Sequence, residues 1–465
     1  FTDPVTYTVT AEDGTSQEYT VTVSIVLNDS NEITDFSFEA ATNTALTETV
    51  TGSIDGNAIS VTVPYGTDVT TLIASYTTDG ASITVDGTEQ ESGTTANDFT
   101  NPVTYVVTAE DGSAQEYTVT VYISVVDEDS GFSSASALGD QATLTLEESS
   151  ETLTMIYAQE QASITFPTRA SDLGSAELTT RFWMGETEIT NAVMAVVLQW
   201  AYCNGKFSST VGDHNGLDTT TVKHGGQELL DLDNSDCRVD YDGSGTFSVE
   251  NCFDEHPVTD VTWYGAVMFC NWLTEMRDGS TDNIVYTNID TTWQDDETVE
   301  HPERNGYRLP SNDEWEYTAR YRGSDSTNTV SGYSSPFFTQ GNSASGAYTY
   351  YNDEADGNPV NSVVDGKDAN DLVAVYKYYY YDGSWVDKGT SDEAAVKSLD
   401  ANTLGLYDMS GNVWEWCFTE NGSDRINRGG SWLFYASGLQ VGIGNYFDPD
   451  YSSGDLGFRL CRTAD

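Results

Sequence analysis

The first third of the chain has no lysine, arginine or histidine, and the first cation is Arg169. Over the whole sequence 75 acidic residues stand against 18 basic ones, a formal net charge of -57. Such a surface repels nucleic acid and anionic membranes, so a nucleic-acid partner is not expected. It suits a protein bathed in salt or divalent cations, and equally one kept soluble after export. No apolar run approaches the ~18 residues that cross a bilayer, so no membrane insertion is expected in this segment. No export leader opens the sequence, which therefore reads as a mature product or a fragment. Cysteine is scarce: there are six, none before Cys203. In an exported chain that even count makes some disulfides plausible. Catalytic motifs are missing too. The four histidines (His214, His224, His256, His301) form no HExxH pair, and there is no Walker loop, GxSxG elbow or CxxC.

What is present begins with a repeat. Residues 1–23 and 99–121 differ at only four positions (Asp3/Asn101, Thr8/Val106, Thr15/Ser113 and Ser16/Ala114), at an offset of 98 residues. That offset is the size of one β-sandwich domain. Within the unit, Pro4 to Val9 alternates apolar and polar, Asp13-Gly14 supplies a turn, and Tyr19 to Val23 alternates again. This predicts a hairpin whose buried face is Val5, Tyr7, Val9, Tyr19, Val21 and Val23. Residues 1–28 then read as the tail of one sandwich, and 29–126 as a complete one with strands near Ile59–Val63, Thr71–Tyr76 and Ile83–Val85. The unit resembles the Ig-like repeats of bacterial surface proteins, and without lysine it cannot form Lys–Asn isopeptide crosslinks. Residues 127–141, rich in Ser, Gly and acid, read as a linker.

From Ala142 the texture changes. Thr190-Asn191 precedes an apolar stretch of helical length, Ala192–Ala201. Thr262–Glu275 reads as a second helix, and Ser311-Asn312-Asp313-Glu314 is a capping box opening a third. Arg238–Asn251 reads as a hairpin about Ser244-Gly245, which would place Cys237 opposite Cys252 for a bridge worth about 3 kcal/mol.

Six segments follow in order: Met184–Asn191, His256-Pro257-Val258 with Val261-Thr262-Trp263, Tyr307–Tyr317, Gly405–Trp416, Arg428–Trp432 and Gly457–Leu460. On these, residues ~142–465 resemble the sulfatase-modifying-factor (formylglycine-generating enzyme) family. The resemblance implies an irregular α+β domain related to C-type lectins. The family's enzymes use a cysteine pair just after the Gly-Gly-Ser motif. The matching positions here are near Phe434 and Leu439, so neither a copper ligand nor a thiol nucleophile is expected. The resemblance also implies a calcium site: the Asp408 and Glu415 carboxylates with the carbonyls of Gly411 and Val413, oxygen ligands that suit a hard cation. The alternative is that Asp408 caps a turn and Glu415 pairs with an arginine. It further implies, approximately, a Cys270–Cys461 disulfide, leaving Cys203 and Cys417. His256, before Pro257, reads as a turn residue rather than a base.

A branch of the family, the variable proteins of diversity-generating retroelements, displays a ligand-binding face between the Gly-Gly-Ser-Trp and Gly-Phe-Arg motifs. Here that window is 433–456. Its candidate contact residues are Leu433, Phe434, Tyr435, Gly438, Ile443, Asn445, Tyr446, Phe447, Asp448, Tyr451, Ser453, Gly454 and Asp455. Aromatics there offer large contact area at low entropic loss, while core packing is the competing reading. Tyr376–Tyr381 could border the same face or be a buried strand. The expected whole is therefore multidomain: all-β Ig-like sandwiches followed by an irregular α+β C-type-lectin-like domain. The expected role is an extracellular, surface-bound binder of a protein or glycan ligand. A self-assembling fibre or sheath subunit is second, and a formylglycine-generating oxidase third.

Overall fold

The computed structural model describes residues 3–464 apart from 25, 45, 47–48, 64–66, 124–131, 133–136, 147–148, 160–162, 208–215, 290–292, 296–297, 351–366 and 382–383. The chain divides into two compact units, Phe1–Ile123 and Ser124–Asp465. Most of the expected linker, 127–131 and 133–136, lies outside the described residues, and Gln141 already opens a strand of the second unit.

In the first unit, period-2 alternation produces two facing sheets. One has four strands, with Ile33–Phe38 paired to Leu72–Thr78 at its centre. The other has six, with Ala114–Ile123 set between Val103–Thr108 and a parallel Ala58–Val63. Phe36, Ile59, Val61, Tyr105, Val107 and Val119 fill the space between them at 0% exposure. Phe36 and Tyr105 meet edge to face at 5.6 Å. This is an Ig-like sandwich.

The first copy of the repeat also folds as a hairpin, with Val5 opposite Val21 and Tyr7 opposite Tyr19, turning at Gly14 with φ +86°. Its apolar face is not buried, which corrects the expectation. Tyr7 is 48% exposed and Tyr19 56%, whereas their counterparts Tyr105 and Tyr117 are at 0% and 4%. The two hairpins are nearly identical, so the difference lies in what covers them. The second is faced by Phe36 and Phe38 of the opposite sheet and flanked by the Ala58–Val63 strand in its own, and the first has no such layer among the described residues.

The second unit wraps sheets and helices around two adjoining cores. A five-stranded sheet runs in the order Gln141–Thr145, Thr152–Tyr157, Phe182–Gly185, Cys461–Thr463, Tyr307–Arg308. The last strand in sequence is thus clamped between early ones and closes the domain. Three helices form where the sequence places them. Asn191–Cys203 is capped by Thr190, Trp263–Asp278 by Thr262, and Asn312–Arg320 by the full capping box of Ser311 and Glu314. The Trp263–Asp278 helix lies hard against the Gln227–Asp231 strand, and Gly265 permits it: a Cβ there would sit 2.0 Å from the Leu229 carbonyl oxygen. A second sheet, Gly444–Phe447, Asp424–Arg428, Trp414–Asn421 and Leu456–Gly457, carries the window of interest.

Candidate ligand-binding face

The six sequence segments are separated in the chain but locked together in pairs by buried polar bonds. Asn191 donates to the carbonyls of Phe253 and His256, both at 3.1 Å, joining the first two. Arg308 makes a two-pronged pair with Glu314 at 2.8 and 2.6 Å. Glu316, on the same helix, holds Arg428 of the Arg-Gly-Gly-Ser-Trp segment and Arg320. Arg459 grips Glu415 through Nε at 2.6 Å and Nη2 at 2.5 Å, both residues at 0% exposure. Glu188 accepts from the Asn412 amide at 3.0 Å and the Val413 N–H at 3.2 Å. Charged groups are tolerated inside because each finds a partner of fixed geometry. The loop ahead of the window is therefore rigid.

From that base the chain turns outward. Gly429 and Gly430 adopt φ of +100° and +80°, and a Cβ on Gly430 would come within 2.8 Å of the Gly438 carbonyl. Leu433, Phe434 and Tyr435 then emerge at 43%, 36% and 41% exposure. Ala436 and Leu439 turn back into a small core with Ala369, Val373 and Tyr376. Further on, Tyr446 is 54% exposed and Tyr451 41%, with Phe447 stacked on Tyr451 at 4.4 Å. The window closes on Asp455, whose carboxylate accepts from Ser431 and Ser453, each at 2.6 Å. Phe434 packs edge-on to Trp414 and Phe447 edge-on to Trp416. Those two tryptophans, two residues apart on one strand, share a face, and the window lies across it.

The thirteen candidates thus split. Leu433, Phe434, Tyr435, Tyr446, Asp448 and Tyr451 are exposed. Gly438, Ile443, Asn445 and Phe447 are half-buried supports. Ser453, Gly454 and Asp455 are an anchor: Gly454 accepts from the Trp432 indole at 3.2 Å and lies so close to Asp236 that no side chain fits. The Tyr376–Tyr381 run joins the exposed part. Tyr378–Tyr381 pairs with Ser384–Asp387, and Tyr435 rests against Tyr378 at 5.1 Å and Trp385 at 4.4 Å. Sequence reasoning missed Trp385. The available signal was a tyrosine strand and a Trp-bearing strand flanking Asp382-Gly383.

Residues 173–464 match the sulfatase-modifying factor enzyme 1-like domain. The chain belongs to this family. Residues 34–121 match a second model, SGBP, N-terminal. A chaperone protein LppX of Paenibacillus barcinonensis is 28% identical over 236 residues, 45% of this chain and 71% of that protein. A formylglycine-generating enzyme of Streptomyces coelicolor is 36% identical over 100 residues, 17% of this chain and 32% of its own length. Among solved structures, Treponema denticola variable protein 1 is 22% identical with a TM-score of 0.41, covering 69% of this chain and 98% of that one.

Near the place where the resemblance puts the enzymes' cysteine pair stand an exposed Phe434 and a fully buried Leu439. All six cysteines are free thiols. The expected Cys237–Cys252 bridge fails on register: Val239 pairs with Val249 and Tyr241 with Phe247. Counted outward, Cys237 faces Asn251, one residue short, and Cys252 lies beyond it at φ +76°. Cys270 lies on the Trp263–Asp278 helix and Cys461 on the Cys461–Thr463 strand. Both are buried and unbridged, so the implied disulfide is absent here too, and burial pushes both thiols well up. His256 sits in its turn with Nδ1 3.4 Å from Glu393, and His214 lies outside the described residues.

The two carboxylates of the implied calcium site have different surroundings. Glu415 is committed, its oxygens taken by Arg459 and by the Trp315 indole at 2.6 Å. That is the arginine pairing the sequence left as the alternative. Asp408 accepts from the Lys397 N–H at 2.9 Å through one oxygen. Burial raises its carboxyl to about 6, and burial beside Asp408 and Glu415 raises that of Glu188 well above the carboxylate range. Among the described residues no three acidic, histidine or cysteine side chains gather as a metal cluster.

Proposed function

We propose that the chain is a non-catalytic, surface-associated binder, in which an Ig-like sandwich serves as stalk and the sulfatase-modifying-factor domain presents the 433–456 window to a protein or glycan. The observation that carries this reading is the division of that window. Large apolar side chains stand in solvent on a segment whose two ends are tied together by part-buried hydrogen bonds, a fixed frame with replaceable contacts. The match of residues 34–121 to a module of surface glycan-binding proteins supports the surface location. The enzyme reading lacks its thiols at Phe434 and Leu439, and with them the copper site. The test is binding of fluorescent full-length chain to cells of the source community. Replacing Leu433, Phe434, Tyr435, Tyr446 and Tyr451 together by serine abolishes binding while the melting temperature holds. Undiminished binding by that variant rejects the reading.

Calcium belongs to the proposal through charge. Arg459 bonds Glu415 alone while Glu188 and Asp408 are buried nearby carboxylates that feel its charge, and a divalent cation held by Asp408 and the carbonyls of Gly411 and Val413 would offset the remaining negative charge. Added calcium then raises the melting temperature and a chelator lowers it. No change with either assigns the compensation to protons.

A further inference from the structure

Deepening the binding reading, on which it rests, we infer that the aromatic surface formed by Tyr378, Tyr380, Trp385 and Tyr435 recognises a glycan carrying an anionic group, carboxylate or sulfate ester, with Lys377 as its counter-ion. Alternation builds the surface. Tyr378 and Tyr380 lie opposite Asp387 and Trp385 in the hairpin register, so Tyr378, Tyr380, Trp385 and Asp387 share one face, the Asp387 carboxylate accepting from the Gly389 N–H at 2.7 Å. On the other face Tyr379 packs on the small core of Ala369, Val373 and Tyr376. Tyr435 completes the array: Tyr380 meets Trp385 at 5.2 Å, Trp385 meets Tyr435 at 4.4 Å, and Tyr435 meets Tyr378 at 5.1 Å. Main-chain bonds fix the two segments together, with Lys377 and Tyr378 N–H both donating to the Phe434 carbonyl, at 3.0 and 3.1 Å. The array remains open to solvent, since Trp385 is 43% exposed and Tyr435 41%. Rings with an apolar face and a wet edge suit a sugar, which presents C–H groups on its ring face and hydroxyls around it.

Lys377 supplies the charge argument. In a chain with 75 acidic residues, its ammonium has no carboxylate partner among the described residues. It lies instead 5.6 Å from the Tyr378 ring and 5.8 Å from that of Trp432. The neighbouring Lys367 and Lys388 are both spent on Asp371. A half-buried cation with no ion pair among the described residues, at the edge of an aromatic surface, is complementary to one negative group placed beside a ring-stacked residue.

The experiment is isothermal titration of the full chain with three hexasaccharides: a galacturonate, a sulfated galactan and a neutral cello-oligosaccharide. Wild type binds one or both acidic probes saturably and at least tenfold more tightly than the neutral one, and the preference weakens at high salt. Lys377→Gln erases that preference. Trp385→Ala lowers affinity at least tenfold, as does Tyr435→Ser, which replaces it if Trp385→Ala melts early. Val299→Ala, at an exposed residue outside both the window and the aromatic array, leaves the affinity unchanged. Equal affinity for acidic and neutral probes, or indifference to both Lys377→Gln and Trp385→Ala, overturns the inference. So does self-association lost in Trp385→Ala without saccharide binding, which would give the surface to a second copy. If no probe binds while the serine variant still loses cell binding, the glycan inference falls and the binding face stands.

Discussion

Removing the guanidinium of Arg459 exposes how the domain is held together. Arg459→Met keeps the length and apolar stem of the side chain but deletes the cation that bonds Glu415 and attracts Glu188 and Asp408. Breaking one partner of a buried pair costs about 3–5 kcal/mol, because the other charge is stranded. The Gly185 and Tyr407 carbonyls, which accept from Arg459 at 3.1 and 2.9 Å, lose a donor at about 1–3 kcal/mol each when buried. The expected destabilisation is therefore at least about 5 kcal/mol, a large part of the ~5–15 kcal/mol that keeps a domain folded. All ten tryptophans lie between Trp183 and Trp432, so tryptophan fluorescence in a urea titration reports this domain and is blind to the Ig-like sandwich. The double variant Arg459→Met with Glu415→Gln should recover about 1–3 kcal/mol, the coupling of a contacting pair. A loss below about 1 kcal/mol, or strict additivity in the double variant, would refute the reasoning.

Three further outcomes follow from the same structure. Burial raises the carboxyls of Asp260 and Glu300 to about 7 and of Glu393 to about 8, the neighbouring Asp236 adding at Asp260 and Asp392 at Glu393. Raised carboxyls favour the folded state below their unfolded values near 4, and that contribution is lost as pH rises through 7–8. The tryptophan-reported melting temperature should thus fall between pH 5 and 8.5, with a shallower slope in Asp260→Asn plus Glu393→Gln; an unchanged slope counts against it. Gly265→Ala should destabilise by about 1–3 kcal/mol, since its methyl meets the Leu229 carbonyl, and wild-type urea stability would contradict that packing. Tyr105→Ala should lower the sandwich transition in calorimetry by about 3–5 kcal/mol, whereas Tyr7→Ala, in the matching position of the exposed hairpin, should leave it in place; equal effects would be the adverse result.

Local features were legible in the sequence. The alternation of residues 103–121, the capping box at Ser311 and the Thr190 and Thr262 caps all lie within a few residues of what they control. The motifs were recognisable as a set, but their reason was not: Glu316 meets Arg428 across 112 positions, and no periodicity records such a pair. Burial of Tyr7 was misjudged because it depends on a second layer, not on the hairpin itself. The Cys237–Cys252 pairing failed by one residue, and in a strand that is enough to turn a side chain to the other face. Within the window, composition marked a region; only packing separates Tyr435, in solvent, from Leu439, in the core. Trp385 became visible through its contact with Tyr435, fifty residues on in the chain.

The central claim is that residues 433–456 carry a replaceable recognition surface on a fixed frame, and sequencing the codons for that window across many cells of the source population tests it most directly. The account predicts substitutions concentrated at Leu433, Phe434, Tyr435, Tyr446 and Tyr451, with Ala436, Leu439, Gly454 and Asp455 and the flanking motifs unchanged. An invariant window, or substitutions spread equally over exposed and buried positions, would contradict it.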